Sequence, residues 1–174
     1  MLLGHSFIRR LNEHMKNTDG DNNLRLDPMY FKVICRAQGG LTVPILIHER
    51  PDLYYFSIWQ PDIVYLQIGW NDLSNTTSSE SVANEIYSFA NFLHFGLHIP
   101  IVIIGEFLFR NPSKVRKDYN DQVVTTNVSI LQKGLQWSSC DHQCVNLSEG
   151  ITMIKLWPPM CQSFRKYKWI TCPL

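Results

Sequence analysis

Three short stretches of this 174-residue chain carry residue types that do chemistry: Gly4-His5-Ser6, Gly39-Gly40 and Gly69-Trp70-Asn71-Asp72. A serine between a strand and a helix stands where an α/β enzyme places a nucleophile. Its hydroxyl projects from the sheet edge, near helix N–H groups that lack an intrahelical partner. Gly40 has no side chain, so its N–H can approach a substrate oxygen closely. Asn71 offers a neutral amide donor. Acyl transfer needs a nucleophile, donors for the oxyanion and a base that accepts and returns a proton. The Ser6 N–H, the Gly40 N–H and the Asn71 side chain form a candidate oxyanion hole. Taken singly, each has a plain structural role: a cap for Ser6, a turn for the glycine pair, an Asx-turn for Asn71. What points to chemistry is their conjunction, in order, at three strand exits.

The elements that must position these residues alternate along the chain. Residues 7–16 place Ile8, Leu11 and Met15 on one helical face. A loop follows over 17–23, then a β-branched and aromatic strand over 30–37. The aromatic-rich stretch after Gly40, with His48, receives no element. Residues 61–69 read as a buried strand, with Pro61 before it and Gly69 after it. A polar loop ending at Ser81 precedes a helix over 82–96 with Ile86, Phe89 and Leu93 inward. A strand is expected over 99–107, then a loop and helix over 111–135 with Val123, Val124, Val128 and Leu131 inward. Strands separated by helices predict a three-layer α/β/α sandwich on a central parallel sheet. Ligands of such sheets bind beyond the carboxyl ends of the strands.

Composition narrows the class. Sixteen basic and 15 acidic residues give a formal charge of +1, which argues against nucleic acid or an anionic membrane as partner. The chain is long enough for one domain over 1–174, with a full core and no staples. Five cysteines, an odd number with four in the last 35 residues, make no disulfide framework and suit reduced thiols in the cytoplasm. Three Asn-X-Ser/Thr sequons, at Asn75, Asn127 and Asn146, carry little weight without a visible signal peptide. Met1 to Leu3 is too short for a full strand, so the N-terminal strand is expected to be clipped. The run Cys140-Asp141-His142-Gln143-Cys144 lacks a paired metal motif and reads as free thiols; no metal or other cofactor is expected. The basic-aromatic run 164–169 reads as a solvated helix face.

The blocks "GHSF", "GGLT" and "IGWND" resemble the first three sequence blocks of the SGNH (GDSL-type) hydrolase superfamily. The likeness covers about residues 2–135 and is similar to SGNH-like domains of animal gene models and retroelement-derived proteins. It implies a flavodoxin-like α/β sandwich and a serine esterase acting on carboxylic acyl or acetyl esters. By position it implies Ser6 as nucleophile and Gly40 and Asn71 as oxyanion donors. His5 stands where the family has Asp.

The family's fourth block is a C-terminal D-x-x-H, whose histidine activates the serine. None of the six histidines here follows an acidic residue by three in the C-terminal part. The best positional match is "LSEGITM", 147–153, with Glu149 for Asp and Thr152 for His. A hydroxyl has no useful basicity near pH 7. His142 is the candidate substitute base, and residues 136–174 are atypical of the family. Two readings follow: a monomeric esterase for a small-molecule, glycan or lipid ester, or a catalytically impaired domain kept as a binding module.

Overall fold

The N-terminal residues form a central strand of the sheet. In the computed structural model, β1 (Leu2–Gly4) lies between β2 (Cys35–Ala37) and β3 (Ile63–Gln67), with β4 (Ile101–Gly105) and β5 (Ile151–Ile154) beyond. The order is β2-β1-β3-β4-β5, and every neighbouring pair is parallel. The structure describes residues 1–18, 23–48, 51–74, 76–140 and 151–154, with backbone alone for 51–53, 135–140 and 151–154. Only three residues of β1 count as strand, but bonds continue past them on both sides. The Met1 carbonyl accepts from Tyr65 N, and Leu2 N donates to Ile34 O. The expected parallel α/β fold is the fold observed.

Helices join the strands: α1 (Ser6–Asn17), α2 (Val43–His48), α3 (Pro51–Trp59), α4 (Ser79–Asn91) and α5 (Tyr119–Cys140). Strand alternation sorts the core. Leu3, Val64, Leu66, Val102 and Ile104 bury fully or nearly so in one cluster with residues of α2, α4 and α5. Gly4 belongs to the opposite side of β1, where Ile8 of α1 lies close over it. Each fully buried aliphatic side chain contributes about 1.5–3 kcal/mol. The α4 stripe Ile86, Phe89 and Leu93 is buried as its period predicts.

Several boundaries differ from expectation, each for a physical reason. The strand expected over 30–37 keeps only its last three residues. Asn23 takes the backbone groups that a ladder would have used: its amide donates to Leu26 O and Phe31 O, and its oxygen accepts from Val33 N. Helix α4 starts three residues early because Ser78, rather than Ser81, is its cap; Ser81 N donates to Ser78 Oγ. It ends in a π-helical turn, Phe92–Gly96, fixed by His94 Nδ1 against Ile99 O at 2.8 Å. The unassigned stretch after Gly40 forms α2 and α3.

The inward face of α5 also differs. Val123 is buried as expected, but Val124, Val128 and Leu131 are about half exposed. The buried positions are Tyr119, Val123, Thr126 and Ile130, and two asparagines share that face. Asn127 clips Phe107, accepting from its N–H at 2.8 Å and donating to its carbonyl at 3.0 Å. Asn120 clips Arg110 in the same two-way manner. The Asn127 sequon is thereby committed to the fold. Among the described residues no helix is long and apolar enough to cross a membrane.

Candidate functional site

The strand order reverses between β1 and β3, and in an open parallel sheet a ligand crevice forms outside the carboxyl ends at such a switch point. Gly4 pairs with both Ala37 and Gln67, so β1, β2 and β3 end level with one another. The backbone stitches these ends together: His5 N donates to Gln67 O, and Gln38 N to Gly4 O. Ser6, Gly40 and Asn71 each follow one of the three ends.

Ser6 is not the cap of its helix. His5 holds that position: its Nδ1 accepts from Phe7 N at 3.3 Å, and Ser6 becomes the first helical residue. The Ser6 hydroxyl and its N–H have no hydrogen-bond partner among the described residues. The cap also fixes the tautomer of His5. With Nδ1 as acceptor, the ring proton sits on Nε2, which is buried without a hydrogen-bond partner among the described residues. The ring lies on Trp70 at 4.7 Å between centroids. Burial, then the positive charges of Arg110 and Arg10, push the His5 pKa from 6.5 to about 4. A neutral ring with its basic nitrogen engaged does not serve Ser6 as a base.

Gly40 takes φ +74°, a region that favours glycine, and a Cβ there would meet open space. Its N–H is unengaged among the described residues. Asn71 reaches back to this loop, its Nδ2 donating to Leu41 O at 2.9 Å. One hydrogen of that amide remains for another acceptor. The bond spans 30 positions in sequence, so Asn71 makes no local Asx-turn there. Asp72 does the capping instead: its carboxylate accepts from Val43 N at 3.1 Å and holds the start of α2. Burial raises the Asp72 pKa to about 6, against the Val43 N–H, which lowers it; Glu85 adds to the rise.

The structure thus ties Asn71 to the residue after Gly40, while Ser6 follows the end of β1, the strand between β2 and β3. Thr152 belongs to β5 opposite Ile103, two positions before the level at which Ile154 lies beside Gly105. Glu149 and His142 lie outside the described residues, as do Asp141 to Cys144 of the cysteine-rich run. Among the described residues no group of three or more His, Cys, Asp or Glu could hold a metal ion.

Sequence reasoning missed the wall of this crevice. Trp70 is nearly buried, with His5 and Phe7 against it and Phe107 edge-on at 6.4 Å. The Arg110 guanidinium lies 5.4 Å from the Trp70 ring centre and 5.1 Å from that of Tyr119. Tyr119 OH donates to Trp70 O at 3.4 Å. Only the i, i+3, i+7, i+10 spacing of Asn120, Val123, Asn127 and Ile130 could have signalled that α5 holds this wall.

No family model matches the sequence, and no curated protein matches it. Solved structures do. A putative GDSL-like lipase from Parabacteroides merdae superposes with a TM-score of 0.60 and 12% identity, over 95% of this chain and 81% of that one. A member of the lipolytic protein G-D-S-L family from Veillonella parvula superposes with a TM-score of 0.54 and 15% identity, over 95% and 81%. The chain has the fold of GDSL-like lipolytic proteins.

Proposed function

We propose that this chain is an SGNH-type serine esterase domain that hydrolyses carboxylic acyl or acetyl esters. Ser6 Oγ attacks the ester carbonyl while a base, His142 by the sequence reading, takes the hydroxyl proton and passes it to the oxygen of the departing alcohol. Water, giving a proton to the same base, then cleaves the acyl–Ser6 bond and releases the carboxylic acid, and Oγ recovers its proton. The Ser6 N–H, the Gly40 N–H and the free hydrogen of the Asn71 amide take the developing oxyanion. Each such donor is worth about 2.7–4 kcal/mol of transition-state stabilisation in acyl transfer. The observation that supports this reading best is the Asn71–Leu41 bond, which joins two of the three donor elements beside an uncapped serine. The substrate is a small-molecule, glycan or lipid ester, bound by a monomer in the cytoplasm without a cofactor.

A second reading is favoured by a separate observation: His5 is held neutral with Nδ1 committed to the helix cap. In that reading the crevice binds an ester or its product and does not turn it over. Hydrolysis of p-nitrophenyl acetate decides between them, together with a fluorophosphonate probe followed by intact mass. The esterase predicts turnover that Ser6→Ala reduces to background, and a covalent adduct that the variant lacks. Equal rates for wild type and Ser6→Ala, with no adduct, would leave the binding module.

A further inference from the structure

Arg110 is the unusual charge in this crevice. Its backbone is fixed on both sides by the Asn120 amide, so the loop that carries it is not free to swing. Its guanidinium is half-buried between the faces of Trp70 and Tyr119. Among the described residues that guanidinium forms no hydrogen bond and no ion pair. The other arginine of the same loop, Arg116, is paired with Asp118 and Gln122. A guanidinium held between two rings keeps a planar fork of donors ready for a carboxylate or phosphate, and aromatic faces satisfy only its π side.

Its neighbours say where such an anion would sit. Trp70 is the residue before Asn71, and the His5 ring that stacks on Trp70 belongs to the residue before Ser6. Arg110 therefore stands on the wall that the nucleophile and an oxyanion donor share. We propose that Arg110 is a specificity residue, and that the crevice takes an ester carrying a carboxylate or phosphate group beside the scissile carbonyl, held by the Arg110 guanidinium. The proposal rests on the esterase reading for the word ester, but the anion site can be tested without turnover.

The binding arm titrates the protein with succinate, with inorganic phosphate and with neutral succinamide, following the Trp70 indole N–H in a proton–nitrogen NMR spectrum. Trp70→Phe assigns that signal. The expected result is a saturable shift with succinate or phosphate and none with succinamide; the stronger of the two anions names the group. Arg110→Gln weakens binding about tenfold, the size of one charge-assisted contact. Lys117→Gln, which removes an exposed charge from the same loop, changes it less than about twofold. The remaining signals of Arg110→Gln report that the fold is intact. Equal shifts with succinamide, undiminished binding in Arg110→Gln, or an equal loss in Lys117→Gln would each overturn the anion site.

The kinetic arm compares mono-p-nitrophenyl succinate with p-nitrophenyl acetate. Arg110→Gln lowers kcat/KM for the charged ester about tenfold more than it lowers kcat/KM for acetate. Arg110-dependent succinate binding without Ser6-dependent turnover supports the anion site and removes the hydrolase. Ser6-dependent turnover with no preference for the charged ester, and no anion binding, does the reverse.

Discussion

A serine at a helix start ordinarily turns its hydroxyl onto the N–H two or three residues on, and becomes a cap. Here His5 takes that duty through Nδ1, one residue earlier, and the Ser6 hydroxyl is left unengaged among the described residues. The consequence for His5 is a measurable dependence of stability on pH. Its pKa is 6.5 in the unfolded chain and about 4 in the fold, so between those values the unfolded chain binds a proton that the folded one refuses. Stability from this group is complete above pH 6.5 and falls as the pH drops towards 4, by on the order of 3 kcal/mol. Asp72 acts in the opposite sense: its pKa is raised from 3.8 to about 6, so its protonation favours the fold as the pH falls through 6. His5→Asn keeps a side-chain oxygen for the cap and removes the titration. Urea unfolding at pH 7 and pH 4 should show the variant losing about 3 kcal/mol less than wild type over that interval. Parallel curves would mean that the buried ring does not carry the effect.

At the scale of elements, the two-way asparagine clips on α5 hold the loop between β4 and α5 against the sheet. Asn127→Ala would leave both the N–H and the carbonyl of buried Phe107 without partners, which costs about 1–3 kcal/mol for each group left dry. Asn120→Ala strips the half-buried Arg110 backbone in the same way, but water can replace much of what is lost there. Urea unfolding should therefore rank Asn127→Ala at least about 1 kcal/mol below Asn120→Ala; the reverse order would show that burial does not govern these clips. The same helix shows what the sequence could and could not reveal. The strands near 61–69 and 99–107 were legible because one face is fully buried and the other partly covered, so that they read as unbroken apolar runs. The α5 stripe was misphased because its inward face includes asparagine and threonine, which a hydrophobic pattern passes over. Helix α2 was hidden by its β-branched run Val43-Pro44-Ile45-Leu46-Ile47, which favours a strand, and α3 by aromatic residues that fit either period. At the site, the three strand ends were readable from their Gly, Ser and Asn types. Asp72, Trp70 and Arg110 were not, since their roles arise from contacts across about 30 to 65 positions of chain.

At the scale of the whole molecule, the central sheet and the crevice depend on the same few positions, and two glycines separate the requirements. Gly4 lies in β1 between two parallel neighbours, where an added Cβ would run into the Gln67 carbonyl and the Ile8 side chain. That carbonyl is backbone of the adjacent strand and accepts from His5 N, so nothing there can rotate aside. Gly4→Ala must part β1 from β3 at the switch point, with loss of the neighbouring ladder and of the packing of α1. Gly40 is glycine for a different reason, its φ of +74°, while the space around it is open. Gly40→Ala should cost about 1–2 kcal/mol of backbone strain and leave the fold whole. Gly4→Ala should cost more than about 3 kcal/mol, or yield no cooperative unfolding transition at all. Urea midpoints of the two variants, with far-UV circular dichroism to report the fold, measure the difference directly. If the two substitutions cost the same, the close approach of β1 to β3 is not what sets the geometry between Ser6 and Asn71. If Gly4→Ala fails while Gly40→Ala folds, the close approach of β1 to β3 is what holds Ser6, and Ser6 is positioned by the sheet rather than by its loops.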